Sequence, residues 1–291
     1  MLSQVSASLH QHSREVASSN ALKQILVAHD GSPAAALALE DGVALANRFQ
    51  AELVIAHVQP PDEYSADTCK APLEEKQEIE RLTNQIAAQG VRSRGIVRRG
   101  NVGDTLFSIC CEEGIDLLML GAYGRGAQDR QTLGSTAEHL LRAVPCPTLT
   151  YGPSVVATFC SGRYTGPTLV PVCLPCSDEE IARITAVAKL LDLRLELLHV
   201  ADPVRAQEIR KLERDCEFLA SRVRYDGLKT QWALLFGDPK MIIPAQSSAM
   251  NSPAVLMPLH WGKHLSSISS DSLAAHVIRC SRIPVITYRV P

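Results

Sequence analysis

The chain has 291 residues, 46% of them hydrophobic and 21% charged, with a formal charge of −2. That length accommodates two ordinary domains, and that balance excludes bulk disorder and any global field drawing the protein to nucleic acid or an anionic membrane. An aromatic share of 4% excludes a surface built on stacked rings, so any anion must be held by local geometry.

The opening stretch MLSQVSASLHQHSREVASSN lacks the apolar core of a signal peptide, and no later run approaches the ~18 residues of a membrane span. Residues 1–22 read as a polar tail and the protein as cytoplasmic, with no nucleic-acid or membrane partner. The nine cysteines are odd in number and scattered, several in apolar segments (Cys110, Cys111, Cys280), which suits reduced core thiols better than a disulfide frame.

KQILVAHD (23–30) predicts a buried strand, and Ser32-Pro33 opens an Ala/Leu-rich helix with Ser at the N-cap and Pro in the first turn. AELVIAHV (51–58) is a second strand. A charged helix near 71–89, the strand VRSRGIVRRG, a helix over about 103–113 and the strand DLLMLGAY follow. A helix from Ser135 and the strand CPTLTY complete the set. Alternating strands and helices imply α/β architecture, with a parallel sheet covered on both faces.

The pattern then begins again. TLVPVC, LELLHV, ALLFG, AVLMPLHW and IPVITY echo ILVAHD, LVIAHV, GIVRRG, LLMLGAYG and CPTLTY in order. His57 and His199 are 142 residues apart, whereas Gly100 and Gly237 are 137 apart, as are Pro147 and Pro284. One domain is therefore written twice, over 23–152 and 168–291, joined by a linker at 153–167. Each copy is expected to be a Rossmann-like α/β sandwich with a five-stranded, mainly parallel sheet.

The segment GAYGRGAQDRQTLGST (121–136) follows an apolar strand directly. In an open parallel sheet, ligands sit at the carboxyl ends of strands, where loops enter helix N-termini. Gly121 and Gly124 allow the main chain to pass close to a bulky ligand or to adopt positive φ. Gly134-Ser135 delivers backbone N–H groups at the positive end of a helix, which attract phosphate. Ser135 is expected to open a capping box closed by Glu138. Arg125 and Arg130 add mobile positive charge, and Asp30 ends the first strand of the same sheet as an acceptor for a ribose hydroxyl. Each feature alone also fits a plain turn or cap. Their convergence favours a nucleotide. No Lys-Ser/Thr follows the glycines, as a Walker loop requires, and the third glycine of the dinucleotide fingerprint is missing.

The spacing Gly121-x2-Gly124-x9-Gly134-Ser135, together with ILVAHDGS, resembles the ATP-binding branch of the universal stress proteins. The resemblance covers residues 23–151 and, more weakly, 168–291, so the chain looks like a tandem universal stress protein. It implies a stress-response protein with ATP, arriving with Mg2+ where a metal is used, lying across the strand ends. Asp30 and Val58 would hold the adenosine end, with Ala28 and Leu120 as walls. Gly121, Gly124, Gly134, Ser135 and Thr136 would wrap the ribose and phosphates. Position 28 is often Pro in relatives and is Ala here. The resemblance also implies pairing of the two halves through their last strands, and a possible homodimer; a protein partner is not readable.

In the second copy, Cys173 stands opposite Asp30, Pro258 opposite Gly121, Trp261 opposite Gly124, Asp271 opposite Gly134, Ser272 opposite Ser135 and Ala275 opposite Glu138. Bulk and negative charge at those places predict a copy that satisfies its own helix end and takes no nucleotide. CLPC at 173–176 offers redox or metal chemistry, with His199 and His260 expected on neighbouring strands, against the plainer reading of inert cytosolic thiols.

No residue arrangement declares a catalyst, so slow ATP hydrolysis or self-phosphorylation is the most expected of the first copy, with ATP as a regulatory ligand. Two alternatives stand beside it. One is an interaction scaffold with a vestigial site, the other a redox or metal-responsive module through Cys173 and Cys176. The related nucleotide α-hydrolases carry a Ser-Gly-Gly-x-Asp loop that HDGSPAA lacks.

Overall fold

The computed structural model describes residues 21–61, 71–124, 133–260 and 272–290. The chain divides between Pro153 and Ser154 into two compact units. Arg125, Arg130, Trp261 and Asp271 lie outside the described residues.

The first unit alternates β1 (Gln24–Ala28), α1 (Pro33–Phe49), β2 (Glu52–Gln59), α2 (Ala71–Ala87), β3 (Ser93–Arg99), α3 (Val102–Glu112), β4 (Leu117–Gly121), α4 (Ser135–Ala143) and β5 (Thr148–Tyr151). Its five strands run parallel in the order β3-β2-β1-β4-β5. The central strands β1, β2 and β4 are near-continuous apolar runs because both faces are covered. Leu26, Val54, Ala56, Leu118 and Leu120 pack with Leu106, Ile109 and Cys110 of α3 and Ala137 and Leu140 of α4. On the other face lies α1, so near that a methyl group added to Gly42 would stand 2.7 Å from Val27 and 3.1 Å from Leu53. α2 covers the same face at β3, where Gly95 admits Ile79.

A polar contact crosses this packing. The Tyr151 hydroxyl hydrogen-bonds Asp41 Oδ2, and both residues are 0% exposed. Tyr151→Phe removes a donor from a buried carboxyl group, an expected loss of about 2 kcal/mol in denaturant unfolding of the first unit. An unchanged midpoint would show that the contact contributes nothing net.

The second unit repeats the plan with β6 (Thr168–Pro171), α5 (Asp178–Leu190), β7 (Leu195–Ala201), a 3-10 turn (Pro203–Glu208), α6 (Ile209–Tyr225), β8 (Thr230–Phe236), α7 (Pro239–Ala249), β9 (Val255–His260), α8 (Leu273–Cys280) and β10 (Val285–Val290). Its parallel strands run β8-β7-β6-β9-β10, the same order as in the first unit. The repeat extends to side chains. His57 Nδ1 lies 2.7 Å from the His29 carbonyl, and His199 Nδ1 lies 3.0 Å from that of Val172. This order corrects one sequence expectation, since β6 separates β7 from β9 and His199 and His260 are not on neighbouring strands. No described helix is long and apolar enough to cross a membrane.

Candidate functional site

In the order 3-2-1-4-5, the chain leaves β1 toward β2 on one side and β4 joins on the other. The connecting loops therefore splay apart at the carboxyl ends of β1 and β4, opening a crevice. A cavity of about 490 Å³ occupies that place. Ala28, Asp30, Val58, Leu120, Gly121, Gly124, Gly134, Ser135 and Thr136 all line it. Arg125 and Arg130, the remaining first-copy candidates read from sequence, fall outside the described residues.

The two oxygens of Asp30 face different surroundings. Gly31 turns the chain with φ 76°, and Asp30 Oδ1 accepts the Ser32 amide at 2.9 Å, so the plain turn reading is correct. Its Oδ2 is directed toward Gly124, where an added methyl group would stand 3.2 Å away. Gly124 thus keeps the space beside a carboxylate open. Gly121 admits Ala34, whose methyl would be 2.9 Å from an added Cβ, and Gly134 approaches the Ala122 carbonyl within 3.0 Å of one. None of these three glycines has positive φ. Their contribution is close approach.

The start of α4 differs from the sequence expectation. Gly134, not Ser135, is the N-cap, and no side chain caps the helix. The capping box is absent because a glycine cap has no side chain to form one, and Glu138 pairs instead with Arg142 one turn on. The Gly134 amide donates to the Ala122 carbonyl at 3.0 Å, which pins the helix start to the end of β4. The amides of Ser135 and Thr136 then open on the cavity without a cap side chain over them. By contrast, α1, α3, α5, α7 and α8 each fill their first turn with an oxygen of Ser32, Asn101, Ser177, Asp238 and Ser272 respectively. The second unit closes the matching helix end in this way, with Ser272 Oγ accepting the Ala275 amide at 3.2 Å.

Sequence reasoning missed part of the wall. His29, His57, Pro60, Glu75 and Tyr123 also line the cavity. His57 Nε2 stands 3.2 Å from Glu75 Oε2, close enough to pair when the ring carries a second proton, and Glu75 also accepts Gln59 Nε2 at 3.0 Å. The repeated His57/His199 pattern was the available signal. Glu75 had none, lying in α2 beyond a long connection. Among the described residues, no group of three or more His, Cys, Asp or Glu is placed to hold a metal ion.

A doubly wound α/β domain with a crevice of mixed polar and apolar lining at its switch point has the architecture in which strand ends serve as small-ligand sites. Residues 21–151 match the universal stress protein family. Over 134 residues the chain is 28% identical to a universal stress protein of Thermus aquaticus, covering 44% of this chain and 96% of that one. It is also 28% identical to universal stress protein YxiE of Bacillus subtilis over 142 residues, covering 43% and 96%. Across both units, a solved universal stress protein of Archaeoglobus fulgidus has the same fold, at TM-score 0.69 and 17% identity over 91% of this chain and 98% of that one.

Proposed function

We propose that the first unit binds ATP or another adenine nucleotide as a regulatory ligand, with slow hydrolysis or self-phosphorylation at most. The observation that carries this reading is the uncapped start of α4 facing a cavity that also holds Asp30 Oδ2. An anionic group meets the positive end of a helix there, and a hydroxyl-bearing group meets a carboxylate across the same space. Asp30 accepts from the ribose, and the amides of Ser135 and Thr136 donate to the phosphates. Gly121, Gly124 and Gly134 let main chain reach the ligand, while Ala28, Val58 and Leu120 enclose the base. Any Mg2+ is carried in on the phosphates.

The second unit is proposed to take no nucleotide. Cys173 replaces the carboxylate, Pro258 replaces Gly121 and Ser272 occupies its own helix end. Calorimetric titration of the full chain with Mg-ATP is expected to give one site per chain. Two equivalent sites would refute the asymmetry between units, and the absence of binding heat and of competition by other adenine nucleotides would remove the reading altogether.

A further inference from the structure

The turn between β6 and α5 carries Cys173-Leu174-Pro175-Cys176 where the first unit has Asp30-Gly31, and Ser177 caps α5 as Ser32 caps α1. Both thiols are free, Cys173 exposed and Cys176 half-buried. One turn into α5 stands Glu180, only 5% exposed, its amide bonded to Ser177 Oγ at 3.1 Å. The Glu180 carboxyl group lies near enough to act on the Cys176 thiol, and its Oε1 is buried without a hydrogen-bond partner. The Tyr288 hydroxyl on β10 is likewise buried and unpartnered, and near enough to feel both Glu180 and Cys176. Native interiors leave few polar atoms in that condition, and those that remain call for an explanation in chemistry or strain.

We propose that Cys173 and Cys176 form a dithiol/disulfide couple in which Glu180 takes the proton of the inner thiol. The exposed Cys173, as thiolate, attacks one sulfur of a low-molecular-weight disulfide. The Cys173 sulfur joins that sulfur, and the other leaves as a thiolate that takes up the proton Cys173 lost. Glu180 then accepts the proton of Cys176, whose sulfur attacks the Cys173 sulfur and expels the second small thiolate, which is protonated in turn. Two S–H bonds become one S–S bond, and two electrons pass to the small disulfide, reducing it to two thiols. A two-residue spacing at a strand-to-helix turn suits such closure, and the thiolate is the reacting form. Burial, and then the Glu180 charge, push both thiols above the usual range, Cys176 the further. Both thiols are thereby held toward the protonated form, so closure draws on a local base. On this assignment the first unit responds to a nucleotide and the second to thiol redox state.

The test uses the full chain, because the tryptic peptide spanning 164–183 contains these two cysteines and no other. The protein is incubated with glutathione disulfide at neutral pH, its remaining thiols are alkylated, and the peptide is weighed. The expected result is a peptide two hydrogens lighter and unalkylated. A doubly alkylated peptide, or one held as a mixed disulfide at Cys173 alone, would overturn the proposal. Cys176→Ser is expected to stop at that mixed disulfide. Glu180→Gln is expected to slow closure at least about tenfold at neutral pH, with the gap narrowing in alkali where hydroxide removes the proton. Equal rates at neutral pH would remove Glu180 from the step.

Discussion

Gly124→Trp is expected to weaken ATP binding by at least about a hundredfold, roughly 2.7 kcal/mol, while leaving the unfolding of the first unit almost unchanged. The substitution fills space in the cavity itself. Among the described residues, an added Cβ at Gly124 meets only Asp30 Oδ2, at 3.2 Å, so the ring is directed into the crevice and against the acceptor proposed for the ribose. Gly121 would be a poorer probe. A side chain there collides with Ala34 at 2.9 Å and the Tyr123 carbonyl at 3.2 Å, so lost binding could reflect a displaced α1. The measurement is a calorimetric titration paired with a thermal melt. Wild-type affinity in Gly124→Trp would place the nucleotide elsewhere and sink the proposed site.

The strands were legible because a parallel sheet covered on both faces demands apolar runs such as ILVA and LLML, bounded by loop residues. Tandem organisation was legible for a related reason. Equivalent positions face equivalent constraints, and His57 and His199 each sit where a ring nitrogen meets the carbonyl that follows the neighbouring strand. The exact start of α4 was not legible. Gly134 and Ser135 are both acceptable caps, and Glu138 lies at the right spacing from Ser135 for a capping box. The choice is tertiary: Gly134 is tied to Ala122 at the end of β4, which carries the helix start one residue back. That displacement matters for function. With Ser135 inside the helix, no side chain among the described residues caps the first-turn amides, which leaves the end of α4 to the ligand proposed above. The repeat aligns Ser272 with Ser135, yet Ser272 is itself the cap of α8. The same serine in the two halves thus does opposite things at the two crests. The Glu75 wall was also hidden, because its approach to His57 depends on how α2 returns over the sheet and no local pattern encodes that.

Gly42→Leu is expected to cost the first unit 3 kcal/mol or more, at about the upper end of overpacking penalties, and to lower its unfolding midpoint with no direct effect on the cavity. A glycine inside a helix normally costs about 1 kcal/mol relative to alanine, so its presence in the middle of α1 needs a reason. That reason is the distance of α1 from the sheet. The Cβ position is 2.7 Å from a methyl of Val27 and 3.1 Å from one of Leu53, both fully buried in strands whose registers are fixed by β2 and β4. Val27 is β-branched and cannot swing away without displacing its neighbours. Gly42→Ala separates the two effects. Helix propensity alone predicts a gain for alanine, whereas contact with Val27 predicts a loss. A loss in denaturant unfolding would show that α1 is held at the distance the sheet requires, and so that Asp30 and the turn before α1 are positioned by packing. A gain would mean that α1 can move outward freely, and the placement of Asp30 at the cavity would then need another support.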